Sequence, residues 1–295
     1  METHPDPKKR KLINLTIFIV LGFSFFLRLY NLEDYPLAIN QDELSNIYDG
    51  YSIAETGADR WGSRYPTILR AFGDADYRPP MYAWISALSV KLFGFSVISG
   101  RLPAAIIGCL SLILLCSLCK KAGGSLFALI TIFLAGLSPW HILYSRMALE
   151  AASLTAFFAL LIFWLWFKMR ETGYRLLYIA LVGLTIGLAT STYQSFKLIS
   201  LILAAALGIE ILKNSPSKMA GAFLFVLATF AGSFPQIYTA YTQPEHFFSR
   251  ASNTMIPFEF SVSYFTSILT NFFSNFSPHY LFLSFGESNN LSIGR

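Results

Sequence analysis

Residues 102–137 read LPAAIIGCLSLILLCSLC, then KKAG, then GSLFALITIFLAGL. An uncharged apolar run of 18 residues is long enough, at 1.5 Å per residue, to cross most of a hydrocarbon core of roughly 30 Å. The solvent of this segment is a bilayer. Working outward, further apolar runs cover residues 12–27, 151–167, 176–191, 198–212 and 219–234, the shorter of which need flanking residues to cross. With the two arms of the opening stretch, 102–119 and 124–137, they predict an all-α polytopic membrane protein with about seven transmembrane helices plus extracytoplasmic loop helices.

Composition agrees. Of 295 residues, 54% are hydrophobic and only 13% charged, with 28 Phe, 15 Tyr and 5 Trp, whereas a soluble domain carries about a quarter charged residues. A soluble enzyme, a disordered chain and a disulfide scaffold are excluded. The net charge of +5 does not point to nucleic acid, because the one basic run, Lys8-Lys9-Arg10-Lys11, adjoins an apolar stretch and reads as a topology signal. Cys109, Cys116 and Cys119 lie in one apolar segment without a nearby His, the pattern of buried thiols rather than of a zinc site.

Residues 12–27 follow a basic flank as in a signal peptide, but Arg28-Leu29-Tyr30 replaces a cleavage site, so they predict an uncleaved first span. Seven spans put the termini on opposite sides. One face carries Lys8 to Lys11, Lys120-Lys121, Lys168, Arg170, Arg175, Lys213 and Lys218; the short loops of the other carry Arg146 and Lys197. The positive-inside bias then makes residues 1–11 a cytoplasmic N-terminus. Only Glu2, Asp6, Glu171 and Glu210 fall on that face, and the remaining acids lie on the other. Most of these belong to two long extracytoplasmic segments, 30–100 and 236–295, and loops of that length in a compact protein are usually functional.

Within 30–100, Asn40 and Glu43 suggest an N-cap with a capping box, and Gly57 a C-terminal stop, predicting a helix over 41–56. A turn-rich piece follows to residue 76. Pro79-Pro80 then opens a helix over 81–93, with Met81, Ile85, Leu88 and Leu92 on one face; it is too short to span and suits the outer interface.

Five groups of polar residues could carry chemistry, and each has a bland alternative. Asp42-Glu43 is an acidic pair at a helix start, a base and its support or simply a favourable helix terminus. In Asp74-Ala75-Asp76-Tyr77-Arg78-Pro79-Pro80, Arg78 could fork onto a phosphate or pair with Asp74 or Asp76. Arg146 and Glu150 stand four apart and could form a helical ion pair, yet an acid entering an apolar helix is a functional hypothesis by default, while His141 suits the interface. Lys197, in Tyr193-Gln194-Ser195-Phe196-Lys197, could snorkel or meet an anion. The fifth group runs from Gln243 to Arg250. All five fall on one face under a topology drawn from charges elsewhere.

In order and identity these residues resemble the GT-C membrane glycosyltransferases that use polyprenyl-phosphate sugars, the group of protein O-mannosyltransferases and aminoarabinose transferases (glycosyltransferase family 39-like). The resemblance rests on Asp42-Glu43, Thr56-Gly57, Pro66, Tyr77-Arg78-Pro79-Pro80, Phe93-Gly94-Phe95-Ser96, Arg101-Leu102-Pro103, Ser138-Pro139-Trp140, Ser145-Arg146, Glu150 and Phe285-Gly286-Glu287. It implies that Asp42 is the general base or orients the acceptor, that Glu43 supports the site, and that Glu150 is the second acid of the cavity. Arg78 would hold the donor phosphate where relatives often carry Lys. Where some relatives place Arg and Tyr after the acidic pair, this chain has Ser45 and Asn46.

The resemblance also implies a transmembrane GT-C module over 12–235, with 236–295 a second extracytoplasmic segment cut short before further spans. The expected reaction moves a sugar from a polyprenyl-phosphate donor to a lipid, glycan or protein acceptor, with Lys197 and Arg250 assisting Arg78, in a bacterial plasma (inner) membrane. No Gly-rich phosphate loop follows a strand, so no nucleotide-sugar site is expected. Asp42 with Glu150 is the pair that could hold a divalent metal, but two carboxylates without His more often act as base and orienting group. A transporter or flippase, and a non-catalytic assembly partner of a glycosylation system, are the alternatives. The first would need paired breaks in two halves of the bundle.

Overall fold

The structure, a computed structural model, describes residues 7–73, 76–254, 261–278 and 280. Its elements are α1 (Pro7–Leu29), α2 (Gln41–Thr56), β1 (Leu69–Arg70), β2 (Tyr77–Arg78), α3 (Met81–Phe93), α4 (Val97–Gly136), α5 (Pro139–Tyr144), α6 (Glu150–Glu171), α7 (Leu176–Ala189), α8 (Gln194–Asn214), α9 (Lys218–Thr242), α10 (Pro244–Thr254) and α11 (Val262–Ser274). The all-α polytopic class is what the apolar runs predict.

α4 is two arms. Gly124, at φ 78° and ψ −175°, breaks the helical path in a conformation that only glycine adopts without strain. Beyond it the chain folds back, because Leu112, Cys116 and Cys119 of the first arm share one buried cluster with Ala128 and Ile132 of the second and Ile17 of α1. α1, α4, α6, α8 and α9 are among the described residues the helices long and apolar enough to cross a membrane. The seven apolar runs map onto these five and α7, with α4 holding two of them; α7, with 14 residues, rises about 21 Å, short of a full core. α4 is the hub: 56% of its apolar window is buried, against 17% for α1 and 22% for α8 and α9, whose outer faces are left for lipid.

α7 and α9 meet backbone to backbone. A Cβ on Gly187 would lie 2.3 Å from the Thr229 carbonyl oxygen and 2.8 Å from Gly232 Cα, and one on Gly232 would lie 2.5 Å from the Leu184 carbonyl oxygen. Small residues at such a crossing supply the dispersion contact that holds helices together where lipid removes the hydrophobic drive. α3 approaches α2 the same way: a Cβ on Gly50 would lie 2.7 Å from Ser86 Cβ.

The two ends of the bundle differ. At one end Lys121 pairs with Glu171, Lys168 Nζ lies 3.3 Å from the same carboxylate, and Glu210 accepts from Trp166 Nε1 at 2.8 Å and Tyr174 OH at 2.9 Å. At the other end α2, the β1–β2 ribbon, α3 and α5 cover the starts of α4, α6 and α8 and the ends of α1, α7 and α9; Gln194 Nε2 donates to the Tyr77 carbonyl and Gln236 Nε2 to that of Thr67, both at 2.9 Å. Met81, Ile85, Leu88 and Leu92 share one face of α3, whose first half, Met81 and Ile85, packs on the core while Leu88 and Leu92 stand exposed.

Described by themselves, the compact units are residues 1–247 and 248–295. In the second, Ser261 caps α11 by accepting from the Tyr264 N–H at 3.2 Å, and Phe265, Ile268, Leu269 and Phe272 are exposed.

Candidate active site

The site is built on α2. Asn40 caps the helix, its side chain accepting from the Asp42 N–H at 2.8 Å, and Gly57 ends it at φ 71° with its N–H on the Ile53 carbonyl. The predicted bounds hold. The capping box does not close, because Glu43 turns away from Asn40 to a stronger partner. Glu43 is fully buried and meets Arg101 in a two-pronged pair, Nε to Oε1 at 2.7 Å and Nη2 to Oε2 at 3.1 Å, while Oε1 also accepts the Ala148 N–H at 3.0 Å. Arg101 Nη1 satisfies the carbonyls of Leu32, Glu33 and Pro36. This pair ties the first loop to α4 and to the segment ahead of α6.

Beside Glu43 runs a polar stripe. Asp42, Ser45, Asn46 and Asp49 stand at i, i+3, i+4 and i+7, one face of a helix. Ser45, Asn46 and Asp49 are buried and each takes partners from other elements; Asp42 is exposed. Its carboxylate makes no hydrogen bond or ion pair among the described residues.

Arg78 is delivered by the β1–β2 ribbon, in which it stands opposite Leu69. It is buried, donating from Nη2 to Ser45 Oγ at 2.6 Å and Asp49 Oδ2 at 3.2 Å, and Nη1 lies 3.5 Å from the Asp42 carbonyl oxygen. Its acidic partner is therefore Asp49; of the two acids weighed for it in the sequence, Asp74 lies outside the described residues. Arg60 reaches the same place from the turn held by Asp59, whose Oδ1 accepts the N–H groups of Trp61 at 3.0 Å and Ser63 at 2.9 Å. Arg60 Nη2 donates to Ser45 Oγ and to the Ala71 carbonyl, each at 2.5 Å, and Nε lies 3.4 Å from Asp49 Oδ1. Burial pushes the Asp49 carboxyl up, against the opposing pull of Arg60 and Arg78.

Glu150 starts α6, is buried, and accepts from Asn46 Nδ2 at 2.6 Å. The helical ion pair with Arg146 does not form. Arg146 instead gathers carbonyls at the end of α1 and in the first loop, Leu27 at 2.7 Å from Nη1, and Asn31 at 2.9 Å and Tyr35 at 3.0 Å from Nη2, because its own turn lies before α6 begins. His141 is more than an interfacial ring: its Nδ1 lies 2.7 Å from Arg28 Nη2.

Asp42, Glu43, Glu150 and Arg78 thus converge around α2. Lys197 stands apart, its Nζ donating to the Phe247 carbonyl at 3.1 Å and lying 3.7 Å from the Phe247 ring centre. It borders a mainly apolar cavity of about 270 Å³ between α8 and α9, also lined by Leu201, Ile237 and Phe247. Arg250 belongs to the second unit, and Phe285-Gly286-Glu287 lie outside the described residues. For the metal expectation, Glu150 has one oxygen on Asn46, and among the described residues no three His, Cys, Asp or Glu side chains gather as a metal centre requires.

The family described as dolichyl-phosphate-mannose-protein mannosyltransferase matches residues 77–234, more than half of the chain. This chain belongs to that family. It is also similar to the Bacillus subtilis (strain 168) protein named "Putative mannosyltransferase YkcB", 28% identical over 189 residues, which are 63% of this chain and 25% of that protein. The chain therefore spans about a quarter of that relative's length. The mannosyltransferase family match begins at the ribbon strand carrying Arg78 and contains Arg101, Glu150 and Lys197. α2, with Asp42, lies just before it.

Asp49, Arg60 and Arg101 were not singled out as site residues in the sequence. Asp49 was within reach: a polar residue at i+7 from Asp42, with Ser45 and Asn46 between, is a helix-period stripe. Ser45 accepts from both guanidiniums and Asn46 donates to Glu150. Arg60 carried no signal, since the turn that aims it depends on tertiary contacts.

Proposed function

We propose that this chain carries the donor-binding and catalytic groups of a membrane glycosyltransferase that moves a sugar from a polyprenyl-phosphate carrier to a lipid, glycan or protein acceptor. One observation carries the reading: Asp42, an exposed carboxylate with no partner among the described residues, sits one helical turn from Asn46, which holds Glu150, and on the same helix face that receives a buried guanidinium, Arg78, whose Nη1 lies 3.5 Å from the Asp42 backbone carbonyl. A base and a phosphate cation side by side are what sugar transfer from a phosphate carrier needs.

In that reaction the acceptor oxygen bonds to the anomeric carbon as the bond from that carbon to the phosphate oxygen breaks. The electron pair leaves with the carrier phosphate, whose growing charge Arg78 stabilises, and the acceptor proton passes to Asp42. Attack opposite the leaving group inverts the anomeric centre. Glu150, held by Asn46, orients the acceptor, and Glu43 acts through Arg101 to fix α2. Lys197 and Arg250 are further cations for the donor, Lys197 at the edge of the apolar cavity suited to a carrier chain.

The clustering of Lys121, Lys168 and Arg170 at the end opposite α2 supports a cytoplasmic N-terminus and a site on the outer face of a bacterial plasma membrane. In this reading the module 12–235 holds the chemistry, and 236–295 is a second extracytoplasmic segment. The test is a transfer assay in detergent with a panel of polyprenyl-phosphate sugars, any downstream spans supplied. Arg78→Ala is expected to lose most of the activity, a cost of about 2–4 kcal/mol in the transition state, and Arg78→Lys to keep part of it. Full activity in Arg78→Ala would remove Arg78 from the donor site.

A further inference from the structure

Arg60 and Arg78 come from different segments, yet both donate to one hydroxyl, Ser45 Oγ, at 2.5 Å and 2.6 Å. One carboxylate, Asp49, lies between them, with Oδ1 3.4 Å from Arg60 Nε and Oδ2 3.2 Å from Arg78 Nη2. Two guanidiniums share the one carboxylate within ion-pair distance of both, Asp42 being exposed, which leaves an excess positive charge among the buried groups in a place with little water, since the Arg60 and Arg78 side chains are 16% and 7% exposed. Glu43 does not offset it, being bound on both oxygens by Arg101.

Hydrogen-bonding capacity is also left over. Arg60 Nε and Arg78 Nε are both buried without a hydrogen-bond partner among the described residues. Arg78 Nη1 has only the Asp42 carbonyl, at the limit of a hydrogen bond. Buried charge-assisted donors are usually satisfied, and an arginine fork matches the oxygens of a phosphate.

We propose that Arg60 is a second guanidinium of the donor-phosphate site and that Asp49 is its resident counter-ion, which together with Ser45 holds the two cations at working distance before an anion arrives. This rests on the reading of Arg78 as the phosphate cation. Asp49 lets two like charges coexist in a buried site, and Ser45 sets their spacing; the bound phosphate then meets the open guanidinium edges next to Asp42. The bland alternative is that Arg60 is a staple, since Nη2 also holds the Ala71 and Arg70 carbonyls at 2.5 Å and 3.3 Å. A staple would serve any ligand equally, whereas a phosphate cation separates phosphates from alcohols.

The experiment measures binding of farnesyl phosphate and, as the uncharged control, farnesol, to the full chain in detergent micelles. Arg60→Gln is expected to weaken farnesyl phosphate roughly 10- to 100-fold, the loss of one charged hydrogen-bonding group, and to leave farnesol unchanged. Asp49→Asn, which keeps the shape and removes the competing charge, is expected to bind farnesyl phosphate at least as tightly as the parent. Equal loss of both ligands in Arg60→Gln makes Arg60 a staple and overturns the proposal, as does undiminished farnesyl phosphate binding in that variant. If Arg60→Gln does not accumulate, Arg60→Lys carries the same comparison, with phosphate-selective weakening expected and equal loss contradicting. Arg78→Gln separates the two levels: if it leaves farnesyl phosphate binding intact, the phosphate site itself is misplaced, whereas loss there with none in Arg60→Gln rejects Arg60 alone.

Discussion

His141 and Arg28 show how one residue's chemistry is set by burial. His141 Nδ1 accepts from Arg28 Nη2 at 2.7 Å, and burial, followed by the adjacent guanidinium, lowers the imidazole to about 4 from the usual 6.5. The folded chain therefore binds fewer protons here than the unfolded chain. Its contribution to stability is whole above pH 6.5 and is lost as pH falls towards 4. The melting temperature in detergent should drop over that window, and His141→Gln should flatten the drop; identical pH profiles for variant and parent would contradict it. Glu43 and Arg101 are the opposite case, a pair of charges buried together with both carboxylate oxygens and the guanidinium fork engaged. Removing one partner strands the other, so Arg101→Met should destabilise the fold by about 3–5 kcal/mol, read as thermal unfolding.

Among the elements, the crossing of α7 and α9 depends on the absence of side chains. Gly187→Leu must push α9, at Thr229 and Gly232, away from α7, at a cost of about 1–3 kcal/mol. Gly22→Leu on α1, where a Cβ meets nothing within 4 Å, should leave the melting temperature unchanged. Equal effects of the two would mean that the crossing does not limit stability. The elements most legible in the sequence were those whose ends are local: α2 stops at Gly57 because a left-handed residue satisfies the last carbonyls, and α3 starts after Pro79-Pro80. Long-range partners were not legible. Arg146 looked like the partner of Glu150 because the two are one helical turn apart, but α6 begins only at Glu150 and Arg146 finds carbonyls more than 100 residues earlier. The β1–β2 ribbon that aims Arg78 is two residues per strand and leaves no periodic trace. Of the site, Asp42, Glu43, Arg78 and Glu150 could be named from residue type and position; their grouping with Asp49 and Arg60 required the fold.

For the molecule as a whole, every interaction of α2 with the rest of the bundle lies at the end away from Lys121 and Glu171. With the chain in a membrane, a membrane-impermeant thiol reagent should reach Ser63→Cys from outside and Ala122→Cys only from the cytoplasm. Labelling of both from one side would break the proposed topology. In the proposed topology that end is the outer face, and there Asp42 alone of the α2 stripe is exposed and without a partner among the described residues. The most direct measurement is turnover and farnesyl phosphate binding by Asp42→Asn, a change that keeps the size and helix-start preference of the side chain. With the acceptor a hydroxyl, binding should stay within a few-fold of the parent while turnover falls about 10²- to 10⁴-fold, the range lost with a general base. Turnover equal to the parent at normal membrane levels would contradict a catalytic Asp42.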